Sequence, residues 1–144
     1  MIRGVHHTAF STPDLDRLLH FYCDLLGAEK LSDSRWGPGN RAINQVLGLP
    51  ETSGRSSMVR LGNLQLELWQ FEIPDPGSRP THPPASQLGL THICIEVDDV
   101  DQEYARLGAA GIAFHTAPMT FGKLRATYGR DPDGNVFELL QQLG

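Results

Sequence analysis

Apolar and polar residues alternate with two periods along this chain, and the switches between them outline its elements. Residues 4–11 (GVHHTAFS) read as a short strand. Thr12-Pro13 then marks a helix start, with Thr12 as N-cap and Pro13 at the first helical position. Leu15, Leu18, Leu19, Tyr22, Leu25 and Leu26 follow the helical stripe, and Gly27 sits at the expected stop. Residues 28–34 fit a second strand, and 36–54 read as irregular because WGPGN and LPETSG are turn signals. Met58 to Leu61, Gly62-Asn63 and Leu64 to Phe71 form a hairpin pattern. Residues 73–88 hold five of the ten prolines and read as a stiff, extended linker. Beyond it, 89–97 reads as a strand, and Asp98-Asp99 cap a helix with Val100, Tyr104 and Leu107 as its stripe. That helix ends at Gly108 or Gly111. Ile112 to His115, Leu124 to Tyr128 and Asn135 to Gln141 complete the strands, with DPDG (131–134) as a turn.

The order is β α β β β, linker, β α β β β, which is an internal repeat. Gly4-Val5-His6-His7 through Asp14-Leu15-Asp16 aligns with Gly89-Leu90-Thr91-His92 through Asp99-Val100-Asp101. Gly62-Asn63 followed by Glu67-Leu68-Trp69-Gln70 matches Gly134-Asn135 followed by Glu138-Leu139-Leu140-Gln141. The fold class expected is α+β, with two modules at 1–72 and 89–144 in one domain. The 144 residues exclude a full α/β barrel. A net charge of −5 without blocks of like charge argues against a nucleic-acid or membrane surface. Only Cys23 and Cys94 are present, outside any CxxC, which argues against a disulfide scaffold and fits a reducing, cytoplasmic setting. MIRGVHHTAF lacks a signal-peptide core, and no apolar run reaches membrane-span length.

Strand alternation sorts the chemistry by face. Leu64, Leu66 and Leu68 point toward a helix, as do Thr8, Phe10, Ile93, Ile95, Phe137 and Leu139. His7, Glu67, His92 and Glu138 all fall on the opposite faces. Two imidazoles and two carboxylates suit one divalent metal ion (Zn, Ni, Co, Mn or Fe), if both sheets curve toward a shared cavity. Their two negative charges also neutralise such an ion, which lowers the cost of enclosing it.

HHTAFSTPDLDRLLHFYCDLLG, LELWQF, LTHICIEVDDVD and RDPDGNVFELLQ resemble the signature segments of the vicinal oxygen chelate superfamily. That superfamily includes glyoxalase I, methylmalonyl-CoA epimerase, extradiol dioxygenases, and fosfomycin- and bleomycin-resistance proteins. The resemblance implies two βαβββ modules whose curved mixed sheets close around a metal cavity. It places the ligands at His7, Glu67, His92 and Glu138, with His6 turned to the other face. It also implies that a two-His, two-Glu set is similar to that of glyoxalase I. Extradiol and fosfomycin-modifying members use two His and one Glu, and the epimerase branch carries Gln where this chain has Glu67. The activity implied is a metal-dependent lyase or isomerase that abstracts a proton from a small oxygenated substrate. Glu138 is the first choice of catalytic base and Glu67 the second. An extradiol-type dioxygenase, or a binding or resistance protein without turnover, is the alternative. A homodimer is expected, with the modules pairing within a chain or across two.

Four further residues are expected to touch substrate. Gln65 and Trp69 flank Glu67 on its face, and His115 and Arg125 lie on the second module's middle strands. Arg125 suits a carboxylate or phosphate. Arg125 and Tyr128 differ in parity, so both cannot face one cavity on a regular strand. Residues 35–54, with Trp36, Arg41 and Asn44, read as a lid or an ordinary surface loop. His20 and His82 read as surface residues, and Cys94 as a small buried filler.

Overall fold

The computed structural model describes residues 1–77 and 82–144. The chain divides into two compact units, 1–79 and 80–144. The centre of the Pro-rich segment, residues 78–81, lies outside the described residues.

The first unit contains β1 (Thr8–Ser11), α1 (Leu15–Leu19), β2 (Glu29–Trp36), α2 (Arg41–Leu47), β3 (Ser53–Leu61) and β4 (Leu64–Ile73). Its sheet has the order β1-β4-β3-β2. β1 runs parallel to β4, while β3 is antiparallel to both β4 and β2. The second unit contains β5 (His92–Glu96), α3 (Val100–Ala109), β6 (Met119–Phe121), β7 (Leu124–Arg130) and β8 (Val136–Gln142). Its sheet repeats the pattern as β5-β8-β7-β6, with β5 parallel to β8. Each unit is therefore an open, mixed four-stranded sheet with helical residues packed on one face.

The cores are built from the apolar sides of these sheets. In the first unit, Leu15, Leu18, Phe21, Tyr22, Val59, Leu66 and Leu68 are buried. In the second, Ile93, Val100, Leu107, Phe137 and Leu139 are buried. Each unit fastens its helix to its last strand in the same way. Leu15 N–H donates to Gln70 Oε1 at 2.9 Å, and Val100 N–H donates to Gln141 Oε1 at 3.2 Å. Just before each helix, Thr12 N–H bonds Trp69 O (2.7 Å) and Val97 N–H bonds Leu140 O (2.8 Å).

Several expectations are corrected. The first strand begins at Thr8, not Gly4. The N-cap of α1 is Asp14, whose side chain accepts from Arg17 N, while Thr12 is buried one turn of chain earlier. After Leu19 the helix widens into π-helical turns, His20–Leu25. That phase change brings Phe21 into the core beside Tyr22 and leaves Leu19, Leu25 and Leu26 half-buried. The span 36–54 is not irregular. α2 forms between an Asn40 N-cap and Gly48, which adopts the left-handed conformation that ends a helix. None of its residues is buried, and its apolar residues Ile43, Val46 and Leu47 span little more than one turn between strong turn signals. β3 begins at Ser53, and Gly54 is required there: a Cβ would stand 2.3 Å from Gln70 O and 3.0 Å from the Trp36 ring. Ile112 to His115 contributes only a bridge, Phe114 to Gly129, with His115 N–H bonded to Tyr128 O at 2.8 Å. Pro118 has no N–H to continue that ladder, and pairing resumes at Met119–Phe121.

The caps make a direct test. Asp99 is the N-cap of α3, accepting from Gln102 N at 3.0 Å. Asp99→Ala is expected to lower unfolding free energy by about 1 kcal/mol. Asp98→Ala, one residue outside the cap, should change it by less than about 0.5 kcal/mol in the same urea titration.

Candidate metal and substrate site

Two His–Glu pairs stand at the same place in the two sheets. Ala9 pairs with Glu67 across β1 and β4, so His7, two residues earlier, shares their face. His7 Nε2 lies 3.2 Å from Glu67 Oε2. In the second unit Cys94 pairs with Glu138, and His92 Nε2 lies 3.2 Å from Glu138 Oε2. The side chains remain 36% and 21% exposed in the first pair and 30% and 14% in the second, so a small ligand can reach both.

The other ring nitrogen is engaged in each case. His7 Nδ1 lies 2.9 Å from His6 Nδ1, and His92 Nδ1 lies 3.1 Å from Thr91 Oγ1. Such a partner fixes ring orientation and leaves Nε2 as the outward donor. His6 and Thr91 are therefore supporting residues that the face pattern did not single out, although both directly precede an expected ligand.

The donor geometry fits an ion. Two ligand atoms each about 2.1 Å from a metal, at roughly 90–100°, are about 3.0–3.2 Å apart. A hydrogen bond between Nε2 and a carboxylate has similar length, so the chemistry of the set matters as well: imidazole nitrogens and carboxylates suit a borderline divalent cation. Each unit carries one such His–Glu pair. Among the described residues, no three or more His, Cys, Asp or Glu side chains gather as a metal cluster.

Around His92 and Glu138 the sheet face carries Tyr128 and Cys94. Tyr128 pairs with Glu138 in register, and its ring packs edge-on to His92 with centroids 5.1 Å apart. Burial, then the Glu138 charge, raises its phenol pKa, which keeps it a proton donor at neutral pH. Counting outward from the 131–135 turn identifies this Tyr128–Glu138 pair. Cys94 is exposed rather than buried, which corrects the filler reading. Its thiol is pushed up to about 11 by desolvation and then by Glu138. His115 reaches the same group through a tilted ring contact with Tyr128 at 6.3 Å. Burial and then Arg130 lower its pKa, so it is neutral at pH 7.

Arg125 is placed differently from the expectation. It pairs with Gln141 in register, and its guanidinium grips Asp101 of α3 at 2.7 and 2.8 Å. It therefore stands on the helix face, away from His92 and Glu138. Arg55 does the same in the first unit, gripping Asp16 at 2.8 and 3.2 Å and also bonding Gln70. The repeated arginine is a tie between sheet and helix. Gln65 and Trp69 do share the face of Glu67, and Trp69 packs against Trp36 with centroids 5.0 Å apart. Trp36 Nε1–H donates to Thr52 Oγ1 (3.1 Å), which donates to Asn44 Oδ1 of α2 (2.7 Å). Arg41 opens α2 and is exposed.

A model of the Glyoxalase/Bleomycin resistance protein/Dioxygenase superfamily matches residues 4–139. The uncharacterized protein YaeR of Escherichia coli is 30% identical over 142 residues, spanning 98% of each chain. The mitochondrial methylmalonyl-CoA epimerase of Mus musculus is 30% identical over 146 residues, 95% of this chain and 72% of the epimerase. A glyoxalase family protein from Bacillus cereus shares the fold at a TM-score of 0.90, with 20% identity and coverage of 100% and 97%. So does FosX of Listeria monocytogenes, solved with Mn(II) and sulfate, at a TM-score of 0.66 and 19% identity, covering 98% and 93%.

The shifted thiol can be read chemically. At pH 8 in chelator-treated protein, Cys94 should react with a disulfide reagent roughly tenfold more slowly than an ordinary exposed cysteine, the scarcer thiolate being partly offset by its greater nucleophilicity. Glu138→Gln removes the adjacent negative charge, so the thiol pKa falls and the rate should rise.

Proposed function

Because the chain belongs to the Glyoxalase/Bleomycin resistance protein/Dioxygenase superfamily, we propose that it is a divalent-metal enzyme of lyase or isomerase type. Its reaction is abstraction of a proton beside a carbonyl of a small oxygenated substrate. The observation that carries this reading is the twofold His–Glu pair, with both separations at 3.2 Å. Two such half-sites supply His7, Glu67, His92 and Glu138 to one ion. The halves come from one chain or, in a homodimer, from two. The Mn(II) held by FosX supports a divalent ion of this class.

A bound divalent ion supplies Lewis acidity, which weakens the C–H bond next to a carbonyl. The chain's residues do the rest. Glu138, 14% exposed, is the better shielded carboxylate and takes the proton on Oε2 or Oε1. Glu67, at 21%, is the second carboxylate and the alternative base. The neutral phenol of Tyr128, across the ladder from Glu138, donates a hydrogen bond to substrate oxygen as negative charge grows there. Glu67 would add a fourth protein donor to a bound ion and so leave less room for dioxygen, which favours this reading over ring-cleaving chemistry.

Two measurements test the proposal. Metal analysis after supplementation with Mn(II), Ni(II) or Zn(II) should approach one ion per two half-sites, and His7→Ala or His92→Ala should each reduce it sharply. Content near zero under all three metals removes the reading. In D2O, exchange of the carbon-bound proton of α-hydroxyketones should be catalysed by the loaded protein. Glu138→Gln should slow it by about 10²–10⁴-fold; an undiminished rate would exclude Glu138 as the base. Oxygen uptake with a catechol in the iron form would instead favour the dioxygenase alternative.

A further inference from the structure

The two sheet faces that carry the His–Glu pairs repeat their ligands but not their surroundings. Two residues beyond Glu67 on its own face stands Trp69, followed by Phe71; the same steps beyond Glu138 reach Leu140 and Gln142. Trp36 joins the first pair from β2. Trp36 and Trp69 meet edge-on at 5.0 Å, Trp69 and Phe71 stack at 5.6 Å, and Trp36 and Phe71 meet at 5.8 Å. Gly54 lies between Trp36 and Phe71 in register and leaves its own face bare, so the rings join across the strand. Trp36 is 7% exposed, whereas Trp69 and Phe71 are only half-buried. The buried ring thus backs two open ones.

The charge distribution on these strands favours an uncharged occupant. Every cation on β2, β3 and β4 is already engaged by an acid: Lys30 with Asp33, Arg35 with Glu72, Arg55 with Asp16, and Arg60 with Glu29. None is left to receive a phosphate or carboxylate beside the rings. Adjacent same-face positions on a strand are about 7 Å apart. A group whose two vicinal oxygens chelate a cation held by Glu67 would therefore carry a directly attached ring to within contact of Trp69.

We propose that Trp36, Trp69 and Phe71 form the wall that receives an uncharged aryl substituent of the substrate held at Glu67. The substrate class is then an aryl-bearing compound with vicinal oxygens. The inference rests on the chelate reading given above, and it extends that reading from reaction type to specificity. α2 is tied to this wall through Asn44 and Thr52, so the wall has a fixed back rather than a mobile one.

Benzohydroxamate and acetohydroxamate offer the same pair of oxygens and differ in phenyl against methyl. Calorimetry on the full-length, Mn(II)-loaded chain should show benzohydroxamate binding about tenfold tighter. Trp69→Leu, which installs the residue found at the matching place in the second unit, should cut that preference below about threefold. Phe71→Leu should reduce it in the same direction while keeping both tryptophans. The chain has only two tryptophans, both in the wall, so benzohydroxamate should also quench their emission where acetohydroxamate does not. Equal binding of the two probes to wild type, or an aryl preference that survives both substitutions, overturns the wall. A chain that takes up no ion sinks the chelate reading separately. Titration of the metal-free chain then decides the wall: aryl-only quenching retains it, and its absence overturns it.

Discussion

The parallel pairing of the first and last strands in each unit is the constraint on which the rest depends. It joins residues distant in sequence, and it alone puts a histidine beside a glutamate. A slip of one residue would turn Glu67 and Glu138 to the helix faces and bury them among leucines. The register is held against such a slip at several points. Leu66, Leu68, Phe137 and Leu139 are buried on the helix side, so a slip would expose all four. The chain leaving each first strand is bonded to the last strand's backbone and then to its glutamine side chain. The same Gln70 and Gln141 that hold the helix starts thereby fix which face the glutamates occupy.

Duplication separates scaffold from specificity. The helix N-cap aspartates, the capping glutamines, the arginine–aspartate ties and the His–Glu pairs occur in both units. These are the features the two modules share. Other residues on the faces of the His–Glu pairs differ between them. Met58 faces Glu67 across the ladder where Tyr128 faces Glu138, and Trp69 stands where the other unit has Leu140. One face offers a hydroxyl and the other a ring surface.

Strand alternation alone sorted the ligand faces, because period-two patterns survive wherever one sheet side is buried. Leu66, Leu68, Phe137 and Leu139 carried that signal. What was not legible has physical reasons. α2 buries no side chain, its apolar set of Ile43, Val46 and Leu47 spans little more than one turn between turn signals, and Asn40 and Gly48 mark its ends. The π-helical turns after Leu19 shift the phase of the stripe, so Phe21 entered the core unannounced. Arg125 looked available for a ligand because parity on an isolated strand does not say which face holds the helix; its match to Arg55 in the repeat would have. Whether the two halves complete one ion site is a question about the association of units, on which a strand pattern is silent.

The placement of charge supports reading the ligand faces as functional. Each His–Glu pair lies within one sheet, so neither fastens a helix to its sheet. The modules already possess helix-face ties in Arg55–Asp16 and Arg125–Asp101 that do the positioning. A stability argument therefore explains one side of each sheet and leaves the other unexplained. On that other side, two imidazoles point their free nitrogens at carboxylates, at equal distances and in matched registers. The helix faces draw the arginines Arg35, Arg55 and Arg125 into ion pairs. With those guanidiniums held elsewhere, the carboxylates of Glu67 and Glu138 remain available to a cation brought from solution. It is the arrangement of the positive side chains, as much as the negative ones, that leaves Glu67 and Glu138 beside histidines rather than arginines.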